Sequence, residues 1–234
     1  MATALEAEPQ RRMSHAAAAR ILATRDPVIA RLIAEVGPPR LRRPQESHFA
    51  ALVRAIVYQQ LAGAAAAAIH GRLVTALNGD VQPDALLALS GESLRAVGLS
   101  ANKAASLRDL ATKVADGTVV LSTRGVSRQA NEEIIAGLST VRGIGRWTAE
   151  MFLLFQLRRL DVWPTGDLGV RRGYGLAWKI PMPSARAGTG WRAVPPVPVG
   201  GGLVLLAGRR ALRGSCRQRA DPIGAVRTEP RAVG

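Results

Sequence analysis

Apolar residues recur at intervals of three and four positions through residues 26–180, and this spacing predicts amphipathic α-helices. Asp26 and Pro27 form one helix start, with the aspartate as cap and the proline at the first helical position. Ser47 caps the next helix, whose apolar pattern continues through an alanine-rich run until Asn78 begins a turn. This part of the chain is therefore predicted to be helical throughout.

Further helix starts follow at short intervals. The predicted starting or capping residues are Pro83, Ser90, Ser100 and Ser127. Strand-like alternation is confined to residues 118–121. The pattern predicts an all-α fold, a compact helical domain over residues 26–180 in which eight or more helices are joined by short turns. Residues 1–25 mix alanine with charged residues and are predicted to be a flexible lead-in.

A pair of glycines divides two of the predicted helices. The first helix should end near Leu138 and the second should start at about Arg146. Between them Gly143 and Gly145 can build a tight turn, because glycine permits positive φ and close backbone approach. The unpaired amides of the second helix can then hold a phosphate oxygen. This is the form of a helix-hairpin-helix DNA-binding element, although such a turn also joins two packed helices without binding DNA.

Composition and charge narrow the class of protein. The net charge of +15 on 234 residues favours a nucleic-acid partner. Residues 181–234 hold nine arginines against Asp221 and Glu229, so they supply +7 and residues 1–180 supply +8. Cys216 is the single cysteine, which excludes an internal disulfide or a cysteine-ligated cluster and favours the cytoplasm. No apolar run approaches the length of about 18 residues that a membrane span needs.

Three segments carry a family resemblance. They are residues 53–61 with Tyr58-Gln59-Gln60, the hairpin at residues 141–149, and residues 163–171 with Asp167. Together they resemble the helix-hairpin-helix DNA glycosylases, specifically the 3-methyladenine DNA glycosylase II family, over residues 26–180. The resemblance implies a monomeric helix-hairpin-helix glycosylase domain whose partner is double-stranded DNA containing alkylated bases.

The residue just before Thr148 distinguishes two kinds of enzyme within this family. Relatives that also nick the strand carry a lysine there, which forms a Schiff base with the sugar, whereas this chain has Trp147. The three lysines, Lys103, Lys113 and Lys179, lie outside the motif. The resemblance therefore implies a monofunctional enzyme that uses water to remove alkylated purines such as 3-methyladenine, the start of base-excision repair.

Asp167 is the catalytic residue that the resemblance implies. Its carboxylate would stabilise oxocarbenium character on the sugar and orient or deprotonate the attacking water. An alkylated purine is already a cationic leaving group, so little help from a general acid is needed. Taken alone, Asp167 is equally an N-cap for a helix beginning at Leu168, and the two roles are compatible. Asp161 is the competing carboxylate.

The resemblance also assigns residues that contact DNA. Gln59 and Gln60 match the segment that enters the duplex, with Gln60 as the wedge that fills the gap left by the flipped nucleotide. Without the family, the two amides would be interpreted as caps for backbone groups at a helix end. The hairpin residues expected to contact the strand are Gly143, Gly145, Arg146 and Thr148.

The base pocket is predicted to include Trp147, Met151 and Tyr58. Trp147 would stack on an electron-poor alkylated ring, although a buried tryptophan that packs the hairpin is an equal alternative from apolar count. Met151 lies where relatives can carry an aromatic residue, which leaves open a glycosylase for mismatched or oxidised bases. A non-catalytic DNA-binding module is the remaining alternative.

No cofactor is predicted apart from a monovalent cation, which relatives suggest at the hairpin carbonyls of Ser139, Val141 and Gly143. The three histidines have no cysteine or carboxylate at ligand spacing, so no metal is assigned to them. They are predicted to be ordinary polar residues: His15, His48 and His70.

The last 54 residues differ in character from the rest. Residues 181–234 contain nine glycines and seven prolines, no lysine and no helical stripe, which is typical of a disordered segment outside the family domain. Back-translated in a frame shifted by one base, residues 191–209 can read GERFRPYRSVAAWYCWRAV, an aromatic helix-forming segment that the family would place there. We predict a frameshift near residues 183–187 and a destabilised, weakly active chain. The alternative is a natural, disordered basic tail.

Overall fold

The computed structural model describes residues 13–182. Within them the chain forms eleven α-helices and one π-helical segment and no β-strand, so the predicted all-α fold is confirmed. The helices are α1 His15–Arg25, α2 Pro27–Val36, α3 His48–Tyr58, α4 Gly63–Ala76, α5 Pro83–Ala88, α6 Gly91–Ala96, α7 Ala101–Ala115, α8 Thr123–Arg128, α9 Asn131–Ser139, α10 Arg146–Met151 and α11 Leu168–Trp178. The π-helical segment, Phe152–Gln156, continues directly from α10.

The main apolar core gathers side chains from α3 through the π-helical segment. Val53, Leu107 and Leu153 are completely buried in it. Helix α3 contacts α4, α7 and the π-helical segment, so it runs through the middle of this core. The core thereby fixes both the end of α3 and the turn between α9 and α10, which is called the hairpin below.

A second, smaller apolar cluster joins α1, α2 and α11. Tyr174 of α11 is completely buried, with its ring stacked on Trp178 at 4.5 Å and edge-on to Trp163 at 6.3 Å. Leu22 of α1 and Ile29 of α2 belong to the same cluster. Burial of these side chains attaches α11, and the residue that caps it, to the two N-terminal helices.

The flexible lead-in predicted for residues 1–25 is wrong from residue 15 onward. Ser14 caps α1 by accepting a hydrogen bond from the Ala17 amide at 3.2 Å. Ala18, Ala19 and Leu22 are buried. Small alanine side chains let α1 pack closely, so this helix has an inner face that a search for large apolar residues does not detect.

The single helical pattern predicted after Ser47 is interrupted in the structure. Helix α3 ends at Tyr58 and α4 begins at Gly63, and Gln60 between them adopts the left-handed conformation with φ of 58°. The Lys103 ammonium group donates hydrogen bonds to the carbonyls of Val57 and Gln59. The break is therefore held by a residue far away in sequence, which a local pattern cannot reveal.

Two further expectations are corrected. Ser127 does not cap the helix that leads into the hairpin, because it lies inside α8, and the Glu133 carboxylate instead accepts from the Ala130 amide at 2.7 Å ahead of α9. Residues 118–121 form an irregular link rather than a strand. The starts predicted at Pro27, Ser47, Pro83, Ser90 and Ser100 are confirmed.

The predicted tail, with its frameshift, lies outside the described residues apart from Pro181 and Met182. Its expected effect on activity therefore stays a prediction. Among residues 13–182, no helix is both long and apolar enough to cross a membrane.

Candidate active site and hairpin

Asp167 is held in place by two hydrogen bonds. Its Oδ1 accepts from the Val170 amide at 2.7 Å, which caps α11. Its Oδ2 accepts from the indole Nε1 of Trp147 at 2.8 Å. Each carboxylate oxygen can accept more than one hydrogen bond. The capping role and the proximity to the hairpin thus occur together in one side chain, whereas the competitor Asp161 is exposed and meets Asn131 through its backbone carbonyl.

Trp147 lies at the surface of the first turn of α10. The residue is 43% exposed, so the alternative of a buried tryptophan that packs the hairpin is wrong. Its polar edge is occupied by Asp167, which leaves the ring available for stacking. Of the other two predicted pocket residues, Met151 is 4% exposed and belongs to the main core, and the Tyr58 ring lies 6.1 Å from that of His70. Their place in a base pocket stays a prediction.

The two hairpin glycines have different reasons to be glycine. Gly143 has φ of +78°, and a Cβ built on it would lie 2.7 Å from Ser106 Oγ. Gly145 has φ of −95°, and a Cβ on it would meet nothing within 4 Å. The expectation that both glycines serve positive φ or close packing is therefore wrong for Gly145, which instead leaves open surface at the start of α10.

The hairpin carbonyls proposed for a cation have donors within the chain. Val141 O accepts from the Ile144 amide at 3.0 Å, and Gly143 O accepts from Gln59 Nε2 at 2.9 Å. Each oxygen keeps one lone pair, and the cation at these carbonyls and at Ser139 stays a prediction. Within residues 13–182 no cluster of three or more histidine, cysteine or acidic side chains could hold a metal ion.

Arg146 stands at the hairpin surface with its guanidinium between two glutamates. It makes a two-pronged ion pair with Glu132 at 2.6 and 2.9 Å, and its Nε donates to Glu150 at 3.0 Å. Hydrogen bonding to Arg146 lowers the pKa of Glu132, whereas burial raises that of Glu150 and outweighs the same arginine. Sequence reasoning missed both glutamates, although the spacing of Arg146 and Glu150 by four residues on one helix is a recognisable signal.

Thr148 does not present its hydroxyl at the hairpin surface as predicted. It is 6% exposed, on the side of α10 that borders a cavity also lined by α3. There it lines a cavity of about 690 Å³ between α3, residues 42–46 and the π-helical segment. Apolar and polar groups share the wall, including Phe155 and the ion pair of Arg54 with Glu46 at 2.5 Å.

The turn after α3 lies against the hairpin. Gln59 donates from its side-chain amide to Gly143 O, a backbone group of the hairpin rather than of its own helix end, and its predicted support of Gln60 stays a prediction. Gln60 is exposed in its left-handed conformation. Lys103 supports the same turn from α7, and burial lowers the pKa of its ammonium group. The structure therefore brings Gln59 against the hairpin, and the exposed Gln60 follows it in the same turn.

Helix α7 also holds the hairpin itself. Asp109 Oδ2 accepts from the Arg142 amide at 2.7 Å and from Lys113 Nζ at 2.9 Å, and these donors lower the pKa of Asp109. Lys113 donates in addition to the carbonyl of Thr140 at 2.5 Å. Asn102 Oδ1 accepts from the Arg142 guanidinium at 3.0 Å. These polar contacts, which are distant in sequence, were not predicted.

The fold and this site define an all-α protein of the helix-hairpin-helix class. The model of HhH-GPD superfamily base excision DNA repair proteins matches residues 53–186, more than half of the chain. The chain belongs to this superfamily.

Individual relatives agree with this assignment. The chain is 37% identical over 155 residues to DNA-3-methyladenine glycosylase 1 of Schizosaccharomyces pombe, covering 64% of this chain and 68% of the relative. A structure of the S. pombe 3-methyladenine DNA glycosylase in complex with abasic DNA matches with a TM-score of 0.60 and 36% identity, over 72% of this chain and 84% of that one. The crystal structure of a DNA-3-methyladenine glycosidase from Bacillus halodurans matches with a TM-score of 0.67 and 29% identity, over 84% and 91%.

Proposed function

We propose that this protein is a monofunctional DNA glycosylase that removes alkylated purines such as 3-methyladenine from double-stranded DNA. The observation that carries the proposal is the carboxylate of Asp167, fixed at 2.8 Å by Trp147 beside the hairpin. Membership of a base excision repair superfamily and relatives named for 3-methyladenine support it. We infer a monomer that acts in the cytoplasm without a cofactor, apart from a monovalent cation at the hairpin carbonyls.

The proposed reaction is hydrolysis at the anomeric carbon of the flipped nucleotide. The electron pair of the N-glycosidic bond leaves with the cationic purine, and positive charge develops on the deoxyribose. Asp167 stabilises that charge because its position is fixed before the reaction, which avoids reorganisation in the transition state. Water then adds to the anomeric carbon, and Asp167 accepts its proton. With Trp147 in place of an amine, no Schiff base forms and the strand is not cut.

Three surface features are suited to binding duplex DNA. The first amides of α10 follow the open surface at Gly145, and such helix starts bind phosphate oxygens. Gln60 projects from the neighbouring turn and would fill the gap that the flipped nucleotide leaves. The exposed ring of Trp147 would stack on the extruded base, since an electron-poor alkylated ring favours such contact.

The test is release of 3-methyladenine from methylated duplex DNA. Asp167→Asn should lower the rate at least about a hundredfold, in the range seen when an electrostatic stabiliser is removed, while affinity for DNA is kept. Asp161→Asn is the matched control and should retain activity, because its exposed side chain lies outside the Trp147 contact. Because asparagine caps a helix as well as aspartate does, full activity in Asp167→Asn would indicate a capping role alone.

The alternatives correspond to distinct outcomes of the same assay. A wild-type protein that binds duplex DNA but releases no base from a panel of alkylated, oxidised and mismatched oligonucleotides would be a non-catalytic binding module. Release of oxidised or mismatched bases in preference to 3-methyladenine would identify a glycosylase for those bases. The proposed role of Asp167 would be unchanged.

A further inference from the structure

The turn between α3 and α4 depends on a residue outside the site described above. Lys103, in the first turn of α7, donates from Nζ to Val57 O at 2.5 Å and to Gln59 O at 2.8 Å. In a continuing helix these carbonyls would accept from the amides of residues 61 and 63. The ammonium group therefore takes the place of the next helical turn and satisfies the end of α3.

The conformation of Gln60 follows from this replacement. A residue with a Cβ pays about 1–2 kcal/mol to adopt the left-handed region, and such strain persists where neighbouring contacts determine it. Here Lys103 fixes the carbonyls before Gln60, and the side chain of Gln59 is fixed to Gly143 at 2.9 Å. Gln60 itself is exposed, and it directly follows the residues that Lys103 and Gly143 hold in place.

Helix α7 also anchors the hairpin, through Asp109 and Lys113. One rigid helix thus contacts both the Gln60 turn and the hairpin, and it fixes the distance between them. A side chain that must enter the duplex while the hairpin holds the backbone needs such a fixed separation.

We propose that Lys103 is a positioning residue for base flipping: it holds Gln60 in the left-handed conformation from which its side chain enters the duplex. The inference rests on the proposed function. Lys103 acts through Gln60 and does not touch the reacting atoms. Loss of Lys103 should therefore slow extrusion of the nucleotide rather than bond cleavage. Extrusion costs a few kcal/mol in a paired duplex and less at a mismatch.

The experiment compares excision of one alkylated purine opposite its normal partner and opposite a mismatched base. Lys103→Met should slow excision from the paired duplex about tenfold, the size expected from losing hydrogen bonds to a charged group, and from the mismatched duplex about twofold or less. Lys103→Arg keeps the donors and should restore the wild-type ratio. In a Gln60→Ala background, Lys103→Met should leave the ratio unchanged, because the two residues act as a unit.

Lys113→Met is the matched control, since it removes the same charge from the same helix at its hairpin end. It should slow both substrates equally. Equal loss on both substrates in Lys103→Met, or a further change of the ratio in the Gln60→Ala background, would overturn the positioning role. Fluorescence of 2-aminopurine at the target position reports extrusion without bond cleavage. A Lys103-dependent fluorescence rise in a wild-type protein that excises nothing would refute the proposed function and retain this inference.

Discussion

Replacing each hairpin glycine by alanine tests whether the two positions differ as the structure indicates. At Gly143 the new Cβ would stand 2.7 Å from Ser106 Oγ at φ of +78°. Ser106 is 6% exposed and its hydroxyl donates to Asn102 O at 2.9 Å, so it has little room to move. The left-handed conformation costs about 1–2 kcal/mol and overpacking about 1–3 kcal/mol. We expect Gly143→Ala to lower the free energy of unfolding by about 3 kcal/mol.

Gly145→Ala should behave differently, because nothing lies within 4 Å of the added Cβ and φ is −95°. Its free energy of unfolding should stay within about 0.5 kcal/mol of wild type. Affinity for duplex DNA should nevertheless fall several-fold, because the methyl group occupies the surface that the strand approaches.

Urea unfolding gives the first quantity and a DNA-binding titration the second. Ser106→Ala in the Gly143→Ala background removes the clash and should recover about half of the loss, while the conformational part remains. Equal stability losses in the two glycine variants, or none at Gly143, would refute this account of the hairpin.

Two other expectations follow from the site. Trp147→Phe removes the indole donor from Asp167. Because the pair is partly exposed, we expect kcat to fall about tenfold, with little change in DNA affinity. A fall of the same size in an Asp167→Asn background would contradict the idea that Trp147 acts through Asp167. Burial lowers the pKa of His15, His48 and His70 below the ordinary value of 6.5, so the unfolded chain binds more protons, and stability should decline as pH falls below about 6.5. Urea midpoints from pH 7.5 to 5 measure this, and a flat profile would refute it.

Local chemistry was sufficient to predict much of the fold. Proline at position 27 and the serines at 47 and 100 start helices because caps and fixed φ act within one turn. Asp167 was interpreted correctly as an N-cap for the same reason. Contacts between distant segments were not predictable in this way. The left-handed Gln60 depends on Lys103, and Thr148 is buried beside a cavity whose other walls come from distant segments.

In the candidate site, too, local motifs were predictable and contacts between distant segments were not. The motif order along the chain predicts which residues approach the hairpin, but it does not predict that the Arg146 guanidinium is shared between Glu132 and Glu150. Nor does a Gly-x-Gly pattern distinguish a glycine required by φ from one that leaves open surface. That distinction needs the position of Ser106 on another helix.

The small cluster of α1, α2 and α11 links the beginning of the described chain to the proposed chemistry. Tyr174 anchors the middle of α11 among N-terminal side chains, while Asp167 caps the first turn of that helix. Deleting α1 and α2 would thus remove no reacting group. It would nevertheless remove the side chains that hold α11, the helix that Asp167 caps, in place. A fragment limited to the family-matched residues 53–186 would contain all three motifs. It would lack the α1 and α2 side chains that pack against the helix capped by Asp167.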